Sequence, residues 1–196
     1  MVEQYYNTKL TNLNLLNGFN QDLSNVKFPD SLQSIIFGYN YNKDLSNVLF
    51  PTSLRTIIFG VYFNQDLTNV KFPDSLQSIT FGDVFNQDLS NVLFPTSLQS
   101  ITFGYYFNQN LLDVKFPTSL KKFKFNKGYS NLTINSLPIG IKEIEFDFIN
   151  KPVNNLPITV EIIKIIDWIT DRNNITFLKI PFGCIVVDVN NEKIDI

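Results

Sequence analysis

The chain has 196 residues, a single cysteine, no histidine and a formal net charge of −2. That length suits one domain, and its interspersed charges offer no basic field to a phosphate backbone, so nucleic acid is not an expected partner. Cys184 alone excludes an internal disulfide and fits a reducing, intracellular (cytoplasmic) setting, while no apolar run approaches the ~20 residues of a membrane span, so no membrane association is expected.

In chain order, a polar start from Met1 to Leu10 leads into a first rung at Leu10/Leu13/Leu15. Five units then begin at Phe19, Tyr41, Phe63, Phe85 and Phe107 with an unbroken spacing of 22 residues. A fixed period of this length is the signature of a solenoid, in which each unit buries its apolar side only against its neighbours. Within each unit, Leu-x-x-Val-x-Phe-Pro comes first, as at Leu23/Val26/Phe28 and Leu89/Val92/Phe94. Leu-x-x-Ile-x-Phe follows, as at Leu32/Ile35/Phe37, Leu76/Ile79/Phe81 and Leu120/Phe123/Phe125. The second element alternates like a strand, and the first is read as extended too.

The proline column Pro29, Pro51, Pro73, Pro95 and Pro117 reads as one corner, because proline fixes φ and lacks a donor. Gly38, Gly60, Gly82 and Gly104 read as another, with a tight turn or a positive φ. Beyond residue 125 the pattern degrades but continues through Ile141/Ile144/Phe146, Val160/Ile163/Ile165 and Cys184/Val187/Val189. The reading is therefore a mainly β solenoid of about nine short turns with parallel sheets. It comprises an N-terminal rung in residues 1–18, regular repeats in 19–125, and degenerate repeats with a cap in 126–196. Nineteen Phe and eight Tyr against one Met predict an aromatic core, with Phe28/Phe50/Phe72/Phe94/Phe116 and Phe37/Phe59/Phe81/Phe103/Phe125 as stacked spines. Asn190-Asn191 offers a turn for a closing hairpin, and Trp168 a packed cap.

The column Asn20, Asn42, Asn64, Asn86 and Asn108 reads as a structural ladder serving backbone groups at a corner. Asp22, Asp44, Asp66 and Asp88 read as solvated or backbone-capping carboxylates, with a bridging cation as the alternative. No histidine, phosphate-cradling glycine loop or metal-spaced cysteine set is present, so neither catalysis nor a cofactor is expected.

On the persistent strand, residues between the inward columns face outward. These are Ser34 and Ile36, Thr56 and Ile58, Ser78 and Thr80, Ser100 and Thr102, Lys122 and Lys124, then Glu143 and Glu145, continuing to Val186 and Asp188. Small uncharged residues give way to a basic rung that meets an acidic one, with Lys122 opposite Glu143 and Lys124 opposite Glu145. A broad, rigid sheet of this kind suits a protein partner, with Tyr39, Tyr62, Tyr105 and Tyr106 in the following turns extending the surface. An ice- or glycan-binding solenoid is the rival of another class, weakened because Ile, Lys and Glu break the Ser/Thr ladder.

The unit Phe-Asn-Gln-Asp-Leu-Ser-Asn-Val-Leu-Phe-Pro-Thr-Ser-Leu-Gln-Ser-Ile-Thr-Phe-Gly, residues 85 to 104, resembles the FNIP repeat, a relative of the leucine-rich repeat. The chain has Gln-Asp or Lys-Asp where the naming tetrapeptide has Ile-Pro. The resemblance implies a right-handed leucine-rich-repeat-like solenoid of the kind found in amoebae and large DNA viruses, where an F-box often precedes the repeats. Nine residues precede the first rung here, too few for an F-box. Substrate recognition within a ubiquitin-ligase complex would then need the F-box from another subunit or a longer parent chain.

Overall fold

In a computed structural model of the chain, residues 10–126, 134–147, 149, 153–166 and 180–194 are described. They form nine parallel strands in one sheet: β1 (Asn12–Asn14), β2 (Ser34–Ile36), β3 (Thr56–Ile58), β4 (Ser78–Thr80), β5 (Ser100–Phe103), β6 (Lys122–Phe125), β7 (Glu143–Phe146), β8 (Ile162–Ile165) and β9 (Ile185–Val187). Spatial order equals chain order, so each strand pairs only with the strands of adjacent rungs. The register repeats the sequence period, with Leu13, Ile35, Ile57, Ile79, Ile101, Phe123, Ile144 and Ile163 in one inward file.

The Leu-x-x-Val-x-Phe-Pro element forms no strand, contrary to expectation. Its Val N–H turns back on the preceding Leu carbonyl, as in Val26 to Leu23 at 3.0 Å and Val92 to Leu89 at 3.1 Å. That turn consumes a donor locally, and the proline that follows has none to offer, so a second ladder cannot propagate. Two more turns complete each rung, from Leu32 N–H to the Pro29 carbonyl at 3.0 Å and from Tyr41 N–H to the Gly38 carbonyl at 3.0 Å, with equivalents along the stack. One short strand and three turns make a rung.

Aromatic files fill the core, but not both of the expected ones. Phe37, Phe59, Phe81, Phe103, Phe125 and Phe146 are buried and stack at centroid spacings of 5.3, 5.7, 5.9, 5.7 and 5.6 Å. The Phe28, Phe50, Phe72, Phe94 and Phe116 file is only half-buried, because it follows the outward turn and lies at the margin of the core. The second deep spine is the repeat-initial file. Tyr41, Phe63 and Phe85 are fully buried, and ring pairs such as Phe63 with Phe85 stack at 6.2 Å. The two spines also face each other, Phe59 on Phe63 and Phe81 on Phe85 at 4.1 Å. Burying a phenylalanine fully stabilises by about 1.5 to 3 kcal/mol from area alone.

The glycine file holds the tight turn expected, but Gly38, Gly60, Gly82 and Gly104 do not adopt a positive φ. Their requirement is close approach. A Cβ at Gly60 would collide with the backbone carbonyl of Gly38, one at Gly82 with that of Gly60, and one at Gly104 with that of Gly82.

At the last rung the expected register is off by one residue. Val186, expected outward, pairs beside Ile163 and is buried. Cys184 N–H closes the usual proline turn on the Pro181 carbonyl at 3.1 Å. Only Ile185 then separates it from the inward position, whereas two residues separate Val160 from Ile163, and one residue fewer reverses the alternation. The hairpin expected at the C-terminus is present. Val187 bridges Lys193 antiparallel, Ile194 N–H donates to the Val186 carbonyl at 2.8 Å, and Asn191 takes a left-handed φ of 64°.

Candidate functional site

Strand alternation puts Ser34, Ile36, Thr56, Ile58, Ser78, Thr80, Ser100 and Thr102 side by side on the open face of β2–β5, each half-buried among its neighbours. Ile36 and Ile58, expected to be exposed, are therefore partly shielded. Ser100 donates to or accepts from Ser78 at 3.1 Å. Thr56, Ser78, Ser100 and Lys122 floor a shallow groove of about 480 Å³, and Gln77, Gln99, Ser119 and Lys121 line it at the strand entrances.

Those entrance residues escaped the sequence reading, although a signal for them exists. Each follows the Leu of Leu-x-x-Ile (Ser119 precedes it), and the file is laddered by backbone hydrogen bonds. Arg55 N–H donates to Gln33, Gln77 to Arg55 and Gln99 to Gln77, all at 2.8 Å, then Lys121 to Gln99 at 3.0 Å. On the far side of the strands, Tyr39 meets Tyr62 edge-on at 5.1 Å and Tyr105 meets Tyr106 at 4.8 Å, all four exposed.

The basic and acidic rungs form one connected cluster on β6 and β7. Lys122 Nζ lies 2.7 Å from Glu143 and 2.6 Å from Glu145, while Lys124 Nζ lies 2.8 Å from Glu145 and 3.3 Å from Asp147. Glu145, expected to face outward from the sheet, is only 7% exposed. Its burial favours the neutral acid, but hydrogen bonds and charge from both lysines outweigh that and hold its carboxyl below the usual range. Burial likewise works against the two ammonium groups, and the carboxylates leave both lysines more basic than usual.

The corner columns are occupied internally. Asn20 Oδ1 accepts from Asn42 N–H, Asn42 from Asn64, Asn64 from Asn86 and Asn86 from Asn108, at 2.8 to 2.9 Å. Gln65, Gln87 and Gln109 donate to the same asparagine oxygens. A serine file absent from the sequence reading does similar work, with Ser53, Ser75, Ser97 and Ser119 hydroxyls donating to the Leu32, Leu54, Leu76 and Leu98 carbonyls. Asp22, Asp44, Asp66 and Asp88 each cap the backbone and hydroxyl of the residue two positions on. Bonds from Ser24, Ser46 and Ser90 draw the Asp22, Asp44 and Asp88 carboxyls below their usual range. Among the described residues no three His, Cys, Asp or Glu side chains are grouped to hold a metal ion, and no helix is long and apolar enough to cross a membrane. Burial pushes the Cys184 thiol up, away from a reactive thiolate. Trp168, Asp167, Asp171, Arg172, Asn131 and Asn174 lie outside the described residues.

The FNIP repeat family model matches residues 19–62, 63–106 and 107–148. The first two stretches each span two of the 22-residue units, in keeping with a sequence in which Lys27, Lys71 and Lys115 alternate with Leu49 and Leu93. Comparison with curated proteins finds no match. Among solved structures, the chain is similar to CroV588, described as a novel circular leucine-rich-repeat protein, with 30% identity and a TM-score of 0.70. The likeness covers 92% of this chain and 27% of that one, so the chain spans about a quarter of its length. With most of its length matched by the family model and its rungs stacked in a leucine-rich-repeat-like solenoid, the chain belongs to the FNIP-repeat family.

Proposed function

We propose that this chain is a non-catalytic scaffold that binds a protein partner on the open face of its sheet. The observation that carries the reading is the groove over β3–β6. The small side chains of Thr56, Ser78 and Ser100 on its floor let a partner approach the strands closely, while the ladders and spines on the other sides of each rung spend their polar and aromatic groups on the fold itself. A rigid stack of this kind binds without reorganising, which lowers the ordering cost of association. Such a face orders recognition along one axis, with each rung contributing two outward positions.

The test is capture of partners from the source organism by the wild-type chain and by a Ser78→Lys/Ser100→Lys variant. Two lysines there fill the groove with long side chains and block close approach to the strands without touching the core. Loss of the wild-type partners in the variant is expected; an unchanged set would remove the assignment of this face.

A further inference from the structure

The groove has a direction and a charge pattern of its own. Arg55, Gln77, Gln99 and Lys121 occupy four successive rungs of the entrance file, fixed by the backbone ladder described above. Gln77, Gln99 and Lys121 line the groove, and Arg55 continues the file by one rung next to Thr56. Among the described residues none of these four side chains makes a hydrogen bond or ion pair, unlike Lys122 and Lys124, which are held by carboxylates, and Lys142, which pairs with Glu161. Arg55 and Lys121 are both exposed. No carboxylate lines the groove.

Resting on the open-face reading above, we infer that the occupant is an extended acidic peptide segment of a partner protein, laid along the solenoid axis with carboxylates at Arg55 and Lys121. Parallel strands lie about 4.8 Å apart, so three rung spacings separate the two cations by roughly 14 Å. An extended chain advances about 3.3 to 3.4 Å per residue, so two carboxylates four positions apart span the same distance. The guanidinium of Arg55 suits a bidentate carboxylate, and the ammonium of Lys121 suits a single charge-assisted bond. Between them Gln77 and Gln99 each present a donor and an acceptor to the peptide backbone, and the Ser/Thr floor admits small side chains. Lys122 adds no free positive charge there, because Glu143 and Glu145 neutralise it.

The test is selection of random peptides of about twelve residues, displayed on phage, against the immobilised full chain. Selected sequences are then synthesised with a fluorescent label and measured by anisotropy. Enrichment of Asp or Glu pairs four positions apart is expected. Affinity should fall at least roughly tenfold with Arg55→Gln, with Lys121→Gln, or when the two carboxylates are made adjacent. Raising the ionic strength from about 0.15 to 1 M should weaken binding as well, since the cations are exposed.

Several outcomes overturn the inference: no binders, no acidic spacing, or affinities indifferent to both variants. If selected peptides without that spacing still lose binding to Ser78→Lys/Ser100→Lys, the acidic occupant falls while the open-face reading stands. If binders ignore those lysines too, both fall. Displacement of the peptide by an equal concentration of labelled oligothymidylate would show the file reading phosphates, and would also overturn it.

Discussion

The regular rungs between Phe19 and Phe125 and the irregular ones after residue 134 reach the same sheet by different chemistry. In the regular rungs, identical residues recur and make the same bond to each neighbouring rung: asparagine oxygens to the next asparagine backbone, serine hydroxyls to the previous leucine carbonyl, rings on rings. In the irregular rungs, unlike residues must complement each other. The ion cluster of Lys122, Lys124, Glu143 and Glu145 ties β6 to β7, and a hairpin covers the outer edge of β9. The proline corner changes too. Asp30, Thr52, Asp74, Thr96 and Thr118 are replaced by Ile139, Ile158 and Phe182, which are strongly exposed. Exact repetition therefore supplies internal ladders without specifying any partner, and departures from it place charge and apolar surface.

The largest expected effect breaks the regular array at its spine. Phe85→Ala removes a fully buried ring from two stacks and should cost about 3 to 5 kcal/mol in urea unfolding. Phe94→Ala, on the half-buried margin, should cost only about 1 to 2 kcal/mol. Equal losses would place the Phe28, Phe50, Phe72, Phe94 and Phe116 file in the core.

Next comes the glycine file. Gly82→Ala must push apart two backbones and should cost about 2 to 3 kcal/mol. Gly18→Ala, with open space around it, should be neutral or stabilise by up to about 1 kcal/mol. A benign Gly82→Ala would show that the rungs are not held as closely as described.

In the irregular half, Glu145→Gln should cost about 1 to 2 kcal/mol, because two lysines lose their shared carboxylate at a buried position. The sign of the pH dependence follows from the depressed Glu145 pKa. Its contribution is full above the ordinary carboxylate value of 4.5 and is lost as pH falls through the lowered value. Acid unfolding of Glu145→Gln should therefore be shallower than that of the wild type below about pH 5. Parallel acid limbs would remove the cluster from the stability of this half.

The smallest effect has the opposite sign. Among the described residues the buried Tyr41 hydroxyl has no hydrogen-bond partner, in a file where Phe63, Phe85 and Phe107 carry no hydroxyl. Tyr41→Phe should raise stability by about 0.5 to 1 kcal/mol, seen as a higher urea midpoint at unchanged slope. Destabilisation would mean that the hydroxyl has a role the other rungs lack.

Periodicity carried the sequence reading as far as the strands. Leu-x-x-Ile-x-Phe locates the inward file from Leu13 to Ile163, because alternation and rung period both constrain it. It could not show that Leu-x-x-Val-x-Phe closes a turn without a strand, since its apolar residues have the same spacing as those of Leu-x-x-Ile-x-Phe, which forms one. Repetition also disguised the core. Phe63 and Phe85 repeat as faithfully as Asn64 and Asn86, and sequence alone does not say which of two adjacent repeated residues points inward. The shift at β9 hinges on one missing residue between Cys184 and Val186, which no period registers. At the candidate site, the outward Ser and Thr positions followed from the strand, whereas Gln77, Gln99 and Lys121 lie just before it and needed the backbone ladder to be placed on the same face.

The central claim is that the repeat motif builds the fold while the open face recognises a partner. Its most direct test is to measure binding of partners captured by the wild-type chain to two doubly substituted chains, Ser78→Lys/Ser100→Lys on the open face and Asn69→Lys/Asn91→Lys at exposed positions of the repeat turn. Binding lost with the first pair and kept with the second is the predicted result; binding kept with the first and lost with the second would contradict it.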